Sequence, residues 1–148
     1  MSAVMRRRGV MRAAAALGLG VVVPPLRAHE YFLPHLTVVH PWTRASAEGA
    51  TFAIIGMSFI DVAQGDRLIG AMSPLARSAE LAGADDASPA GIAIPAGQET
   101  TLAESGAHLR LVGLTQRLEL AREYPLTLVF DKAGPLKASF LVDFPAPG

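Results

Sequence analysis

The stretch from Ala107 to Leu114 places two side chains that can do chemistry two residues apart. His108 and Arg110 alternate with Leu109 and Leu111, and this period of two predicts a β-strand. Such a strand would bury its leucines and present His108 and Arg110 together on its outer face. An imidazole nitrogen can bind a metal ion, whereas a guanidinium has only hydrogen-bond donors. The sequence therefore predicts that a site of this protein lies on this face, where His108 is the side chain that can coordinate a metal ion.

His29 is the second candidate ligand, because it becomes the first residue if the chain is cut after Ala28. An N-terminal amine and the imidazole of the same residue can chelate copper together. The alternative is that His29 is only the first residue of a frayed terminus. A combined site from His29, its amine and His108 would suit Cu(II) better than Cu(I), since it offers nitrogen ligands in place of sulfur.

The segment before His29 has the features of an export signal. Residues 1–28 carry five arginines and no acidic residue, and an apolar run from Ala13 to Val23 is too short to span a membrane. An ordinary secretory signal and a twin-arginine signal at Arg7-Arg8 are both compatible with this pattern, and a retained anchor is the less favoured alternative. We expect an exported, periplasmic protein that is not inserted in the membrane after cleavage, with residues 29–148 forming a single domain.

Charge and composition exclude several classes of function. The chain has 13 basic and 13 acidic residues, so removing the five arginines of the segment leaves 8 against 13, a net charge of −5. An acidic domain is a poor ligand for nucleic acid or an anionic membrane. The absence of cysteine excludes disulfides and thiolate metal sites. No phosphate-binding loop or nucleophile motif occurs, and Asp85 and Asp86 lie in a polar loop, so we expect no enzyme.

The rest of the chain has the residue pattern of short strands separated by turn residues, and it shows no helical period. This spacing predicts an all-β fold, a Greek-key β-sandwich. Pro41 is expected to end its strand or to lie at a sheet edge, because it lacks an N–H. Met57 and Met72 are expected in the core. The predicted strands cover residues 36–40, 51–60, 67–72, 77–81, 92–94, 98–102, 107–114, 126–131 and 140–144, with a loop at 82–91.

An ordered set of motifs along these strands resembles the periplasmic copper chaperones of the PCu(A)C type. The motifs are His-Pro-Trp-Thr-Arg-Ala at 40–45, Gly-Asp-Arg-Leu-Ile-Gly-Ala at 65–71 with Ser-Pro at 73–74, Ile-Pro-Ala-Gly at 94–97, the stretch 106–114, and 124–130 with Lys-Ala-Gly at 132–134. The resemblance covers nearly all of residues 29–144. It implies a cupredoxin-like sandwich that binds Cu(I) and works with cytochrome oxidase assembly components to fill the oxidase copper centre.

The departures from the family pattern fall on its metal ligands. The family uses a histidine after an Ala-Glu-Leu strand, methionines in the next hairpin, and a His-x-Met pair. Here Ala82 follows Ala79-Glu80-Leu81, residues 82–91 contain no methionine, and Arg110 stands in place of the paired methionine. Of this set only His108 is retained, and a guanidinium roughly 6–7 Å away would repel a bound cation. His40 matches the family's His-Pro-Trp segment and is interpreted as packing.

The sequence therefore predicts a copper-chaperone-like protein with a degenerate metal site, whose candidate ligands are His108 and His29. The alternative is a metal-free β-sandwich that acts as a protein-interaction or assembly partner. The missing ligands favour the second hypothesis, and the ordered motifs favour the first.

Overall fold

A computed structural model describes residues 29–83, 87–88 and 90–147, and these ranges contain β-strands and no helix. The predicted signal at 1–28 and the pair Asp85 and Asp86 lie outside them. The described residues include no helix long and apolar enough to cross a membrane. The strands are β1 Glu30–Phe32, β2 Thr37–Arg44, β3 Phe52–Ile60, β4 Asp66–Met72, β5 Ala76–Ala82, β6 Ala87–Ser88, β7 Gly91–Ile94, β8 Thr100–Leu102, β9 His108–Leu114, β10 Glu123–Phe130 and β11 Gly134–Phe144.

The strands form one strongly curved, nearly closed sheet in the order β5-β9-β3-β2-β11-β10-β4-β7-β6. β1 adds to β2 and β8 adds to β3. Only the β11–β2 pair among these strands is parallel, and it connects the two ends of the described chain. The predicted all-β Greek-key β-sandwich is confirmed. β1 was not predicted, β11 is longer than the predicted strand at 140–144, and the predicted loop at 82–91 contains β6.

The core lies on the concave side of the sheet and follows the alternation seen in the sequence. Leu109 and Leu111 are fully buried, as is Met57, so these predictions are confirmed. Met72 is 60% exposed, and its predicted core position is wrong. It lies opposite Thr127, whereas the buried Leu128 lies opposite Ala71. Because directly paired residues share a face, Met72 points outward.

Pro41 lies inside β2, and the predicted strand end there is wrong. β2 is an interior strand, flanked by β3 on one side and by β1 and β11 on the other. The β2–β3 register shifts between Val39 and Trp42, and His40 has a φ of 48°. A bulge of this kind takes the proline nitrogen out of the hydrogen-bond ladder. The same bulge brings His40 out of the regular alternation of β2.

Candidate metal site

His108 opens β9 and lies opposite Ala82 of the edge strand β5. Its side chain is only 7% exposed, so the predicted open outer face is wrong at this residue. The chain after β5 covers it: a Cβ added to Gly83 would lie 2.7 Å from His108 Nδ1 and would collide with the Gly106 carbonyl oxygen. Sequence alternation describes which side of a strand a residue occupies, and it cannot show a turn that folds over that side.

The hydrogen bonding of His108 leaves one ring nitrogen available to a metal ion. Nδ1 lies 2.9 Å from the Gly106 carbonyl oxygen, and because a carbonyl only accepts, Nδ1 donates. Nε2 of the neutral ring then keeps its lone pair, and it is buried without a hydrogen-bond partner in the part of the chain that the structure describes. Metal-binding histidines are commonly held in this way through the other nitrogen. Within the described ranges, however, no group of three or more His, Cys, Asp or Glu residues is arranged to hold a metal ion.

Arg110 stands at the position of the family's methionine, and its side chain offers no soft ligand for a metal at His108. It lies in register with Ile54 of β3 and Glu80 of β5. Its guanidinium carbon stands 4.5 Å from the centre of the Phe52 ring, which is a cation–π contact. The charge is therefore placed on the outer face, two residues from His108, where it disfavours a bound cation.

His29 is half-buried, and its carbonyl accepts a hydrogen bond from the His40 backbone N–H. The two imidazoles meet edge to face, with ring centres 5.3 Å apart. Nδ1 of His29 is buried and has no hydrogen-bond partner among the described residues, while Nε2 lies 3.2 Å from Glu123 Oε1. His40 Nε2 lies 2.9 Å from Asp143 Oδ2. These contacts hold His29 against β2 and β10 in this structure.

Each carboxylate has a chemical consequence for the ring that it contacts. A carboxylate oxygen accepts a proton donor, so Glu123 and Asp143 favour the proton on Nε2 of His29 and of His40. Nδ1 then carries the lone pair in both rings. Carboxylate–histidine pairs of this kind orient ligands around protein-bound metals. The structure thus places the imidazole of His29, just before β1, beside that of His40 in β2.

The sequence assigns His40 to packing and does not indicate it as a possible ligand. The pairing of Glu30 with Val39 in the β1–β2 ladder is what brings His29 beside it. The 11-residue spacing between the two histidines becomes informative only once a hairpin is known to join them. The structure does not unite His29 with His108, since β2 and β3 lie between β1 and β9.

The fourth histidine, His35, belongs to a structural cluster rather than to this site. Its Nε2 lies 2.7 Å from Oδ2 of Asp66, whose side chain is fully buried. Burial alone raises the pKa of Asp66, but hydrogen bonds from the Lys132 N–H, from His35 and from the Arg67 and Ala133 N–H groups outweigh it and lower that pKa below its usual value. Asp66 thereby fastens β4 to the β10–β11 turn.

Comparison with known proteins connects this geometry to a family. A family model for LpqE-like lipoproteins matches residues 36–142, most of the chain. The chain belongs to the LpqE-like family. A comparison with curated proteins found no match to this chain.

The chain is also similar to solved structures of PCuAC domains. The copper-bound PCuAC domain from PmoF2 is 32% identical, with a TM-score of 0.71 over 80% of this chain and 99% of that one. The apo PCuAC domain from PmoF1 is also 32% identical, with a TM-score of 0.72 over 80% and 100%. Cu(I)-bound DR1885 from Deinococcus radiodurans, at 24% identity and a TM-score of 0.63 over 75% and 79%, shares the fold. The predicted PCu(A)C resemblance and cupredoxin-like architecture are confirmed.

Proposed function

We propose that this LpqE-like protein handles copper outside the cytoplasm, and that it binds the ion with nitrogen ligands from His29 and His40. The observation that carries the proposal is the buried, unpartnered Nδ1 of His29 beside a second imidazole, with a carboxylate behind each ring. The copper-bound state of the similar PmoF2 domain supports copper as the cargo.

Export completes the donor set in this proposal. Cleavage after Ala28 would free the amine of His29, which adds a third nitrogen next to the two imidazoles. Three nitrogen ligands and no thioether favour Cu(II) over Cu(I). The lipoprotein description of the family supports export, and we place the mature protein in the periplasm.

His108 remains the second candidate ligand and the remnant of the family's site. Its Nε2 has no hydrogen-bond partner among the described residues, but Ala82 and Arg110 replace its expected neighbours. A single imidazole beside a guanidinium makes a weak copper site. We therefore propose that the site on β9 is degenerate and that copper binding depends on the His29 end of the molecule.

The destination of the copper is proposed from the PCuAC relationship. Copper carried in the periplasm would be transferred to components that assemble the copper centre of cytochrome oxidase. The alternative function is that of a metal-free assembly partner, and it is favoured by the incomplete ligand set on β9. Copper affinity of the mature protein separates the two.

The decisive experiment is a Cu(II) titration of protein that begins at His29, followed by the fluorescence of Trp42 and by electron paramagnetic resonance. His29→Ala and His40→Ala should each weaken binding by more than about 100-fold, because even losing a group behind a ligand costs about 10–100-fold. His108→Ala should have little effect. A matched control has the α-amine of His29 acetylated, which removes that nitrogen from chelation and should also weaken binding.

Two results would contradict the proposal. Unchanged Cu(II) affinity in both His29→Ala and His40→Ala would remove the nitrogen site, and Cu(I) binding that disappears in His108→Ala would place the metal on β9. Mass spectrometry of protein recovered from the periplasm tests whether His29 is the first residue.

A further inference from the structure

The outer face of β2, β3, β9 and β11 carries two arginines stacked on exposed phenylalanines. Arg110 lies over Phe52, and the guanidinium carbon of Arg44 lies 5.4 Å from the centre of the Phe144 ring. Phe52 is 45% exposed and Phe144 is 40% exposed. We call these four residues the arginine–phenylalanine face. Arginine and large aromatic residues are the types that dominate the centres of protein interfaces.

An apolar cleft of about 170 Å³ opens beside Phe52. Its walls include Ile54, Ala50 and Pro147, and Arg44 and Glu104 line it as well. Pockets that enclose small organic ligands typically measure about 300–1,000 Å³. The cleft is too small for such a ligand, and its volume suits one apolar side chain of a larger partner.

The charges around the cleft indicate the character of that partner. Arg44 Nε lies 3.0 and 3.1 Å from the two carboxylate oxygens of Glu104, so this guanidinium is paired. Arg110 Nε is buried and has no hydrogen-bond partner in the described part of the chain. Nε itself is enclosed by the chain, so a partner would reach the guanidinium through its terminal nitrogens, for which a carboxylate is the strongest acceptor. The guanidinium of Arg110 is thus an unpaired cation among the described residues of a domain with a net negative charge.

Two other occupants fit less well. Nucleic acid and anionic membranes would bring many phosphates against a domain whose residues 29–148 carry a net charge of −5, whereas a segment with a single carboxylate interacts mainly with the nearby Arg110. In a symmetric pair of copies the same patch meets itself. Arg110 of one copy would then lie close to the arginines of the other copy. The nearby Glu104 of that other copy is already paired with its own Arg44.

We propose that the arginine–phenylalanine face binds an extended, acidic segment of another protein. One apolar side chain of that segment enters the cleft beside Phe52, and a carboxylate two residues away accepts a hydrogen bond from Arg110. The spacing is natural for an extended chain, in which alternate residues lie roughly 6–7 Å apart on one side. This binding is independent of copper.

The test begins with random 12-residue peptides displayed on phage and selected on the protein starting at His29. Selected peptides should combine an apolar residue with an aspartate or glutamate two positions away. A synthetic, fluorescein-labelled copy of the most enriched peptide is then titrated by fluorescence anisotropy. Arg110→Met and Phe52→Ala should each raise its Kd at least tenfold, and replacing its acidic residue by the amide should do the same.

Matched controls use the same residue types away from the face. Arg117→Met and Phe32→Ala change exposed side chains, Phe32 being 75% exposed, and should alter the Kd by less than about twofold. Arg110→Gln is a second charge-removing variant, chosen in case methionine disturbs folding, and thermal unfolding verifies each protein.

Several outcomes would overturn the proposal. Selected peptides without acidic residues, a failure to select any peptide, or a Kd unchanged by both Arg110→Met and Phe52→Ala would each reject an acidic segment as the occupant. A reversible dimer in sedimentation velocity that dissociates in Arg110→Gln would assign the face to a second copy of the chain.

Discussion

Nε2 of His40 lies 2.9 Å from Oδ2 of Asp143, which joins the bulge of β2 to the end of β11. Each partner is partly open to solvent, with 37% of the His40 side chain and 41% of the Asp143 side chain exposed. The contact sets the orientation of the ring beside His29. A residue at the far end of the chain thus determines which nitrogen of His40 is available to a metal.

Asp143→Asn tests this orientation. The amide nitrogen can present a donor to Nε2, which would favour the other tautomer and leave Nδ1 without its lone pair. We expect Cu(II) affinity to fall about 10–100-fold, with altered hyperfine splitting in the resonance spectrum. Asp131→Asn, at an exposed turn residue, is the control and should leave the Cu(II) affinity and the hyperfine splitting unchanged. Equal affinities for Asp143→Asn and the parent would show that the carboxylate is not needed.

The double substitution Ala82→His and Arg110→Met should create a Cu(I) site on β9. Ala82 is directly opposite His108, and opposed Cβ atoms lie about 4.5–5.5 Å apart, so two imidazoles and a thioether would converge. Competition with a chromogenic Cu(I) chelator should show a gain of at least about tenfold over the parent, equivalent to roughly 1.4 kcal/mol. Arg110→Met alone separates removal of the charge from addition of the histidine. No gain in the double variant would mean that the strand positions do not converge.

Gly83→Ala should disturb His108 more than an ordinary glycine substitution does. Gly83 has a φ of 109°, and a Cβ there would collide with Gly106 and His108. Gly49 has a φ of 75°, and a Cβ added there would have no atom within 4 Å, so Gly49→Ala is the matched control for backbone strain alone. Left-handed strain costs about 1–2 kcal/mol in free energy of unfolding, so we expect more than that for Gly83→Ala. Urea unfolding gives the two values, and similar losses would contradict the close approach.

The Asp66–His35 cluster predicts how stability depends on acid. The pKa of Asp66 is lowered on folding, so its contribution is complete above the unfolded-state pKa of about 3.9 and is lost as pH falls through the lower folded-state pKa. Asp66→Asn should reduce the free energy of unfolding near pH 7 by about 2–4 kcal/mol, because an amide cannot accept all the hydrogen bonds of the buried carboxylate. It should also flatten the loss of stability as the pH falls below about 4, as measured by urea unfolding. An unchanged acid profile would contradict the lowered pKa.

Local patterns in the sequence predicted much of the fold because they report burial along single strands. The alternation of β9 identified Leu109 and Leu111 as core residues, and both are buried. The ordered motifs indicated the PCuAC relationship, which the family match and the solved structures confirm. Met72 shows the limit of such patterns, since an apolar residue at a strand end can face outward when its cross-strand partner does.

The arrangement of the candidate site was decided by tertiary structure. The sequence by itself marked His108 and His29 as ligands. Only the β1–β2 register showed that His29 lies beside His40, and only the strand order β2-β11-β10 brought Asp143 and Glu123 to their rings. Side-chain alternation has a period of two on every strand, so it specifies the two faces of a strand without specifying which residues of distant strands meet. Those meetings depend on register, bulges and turns, which form when the whole sheet closes around its core.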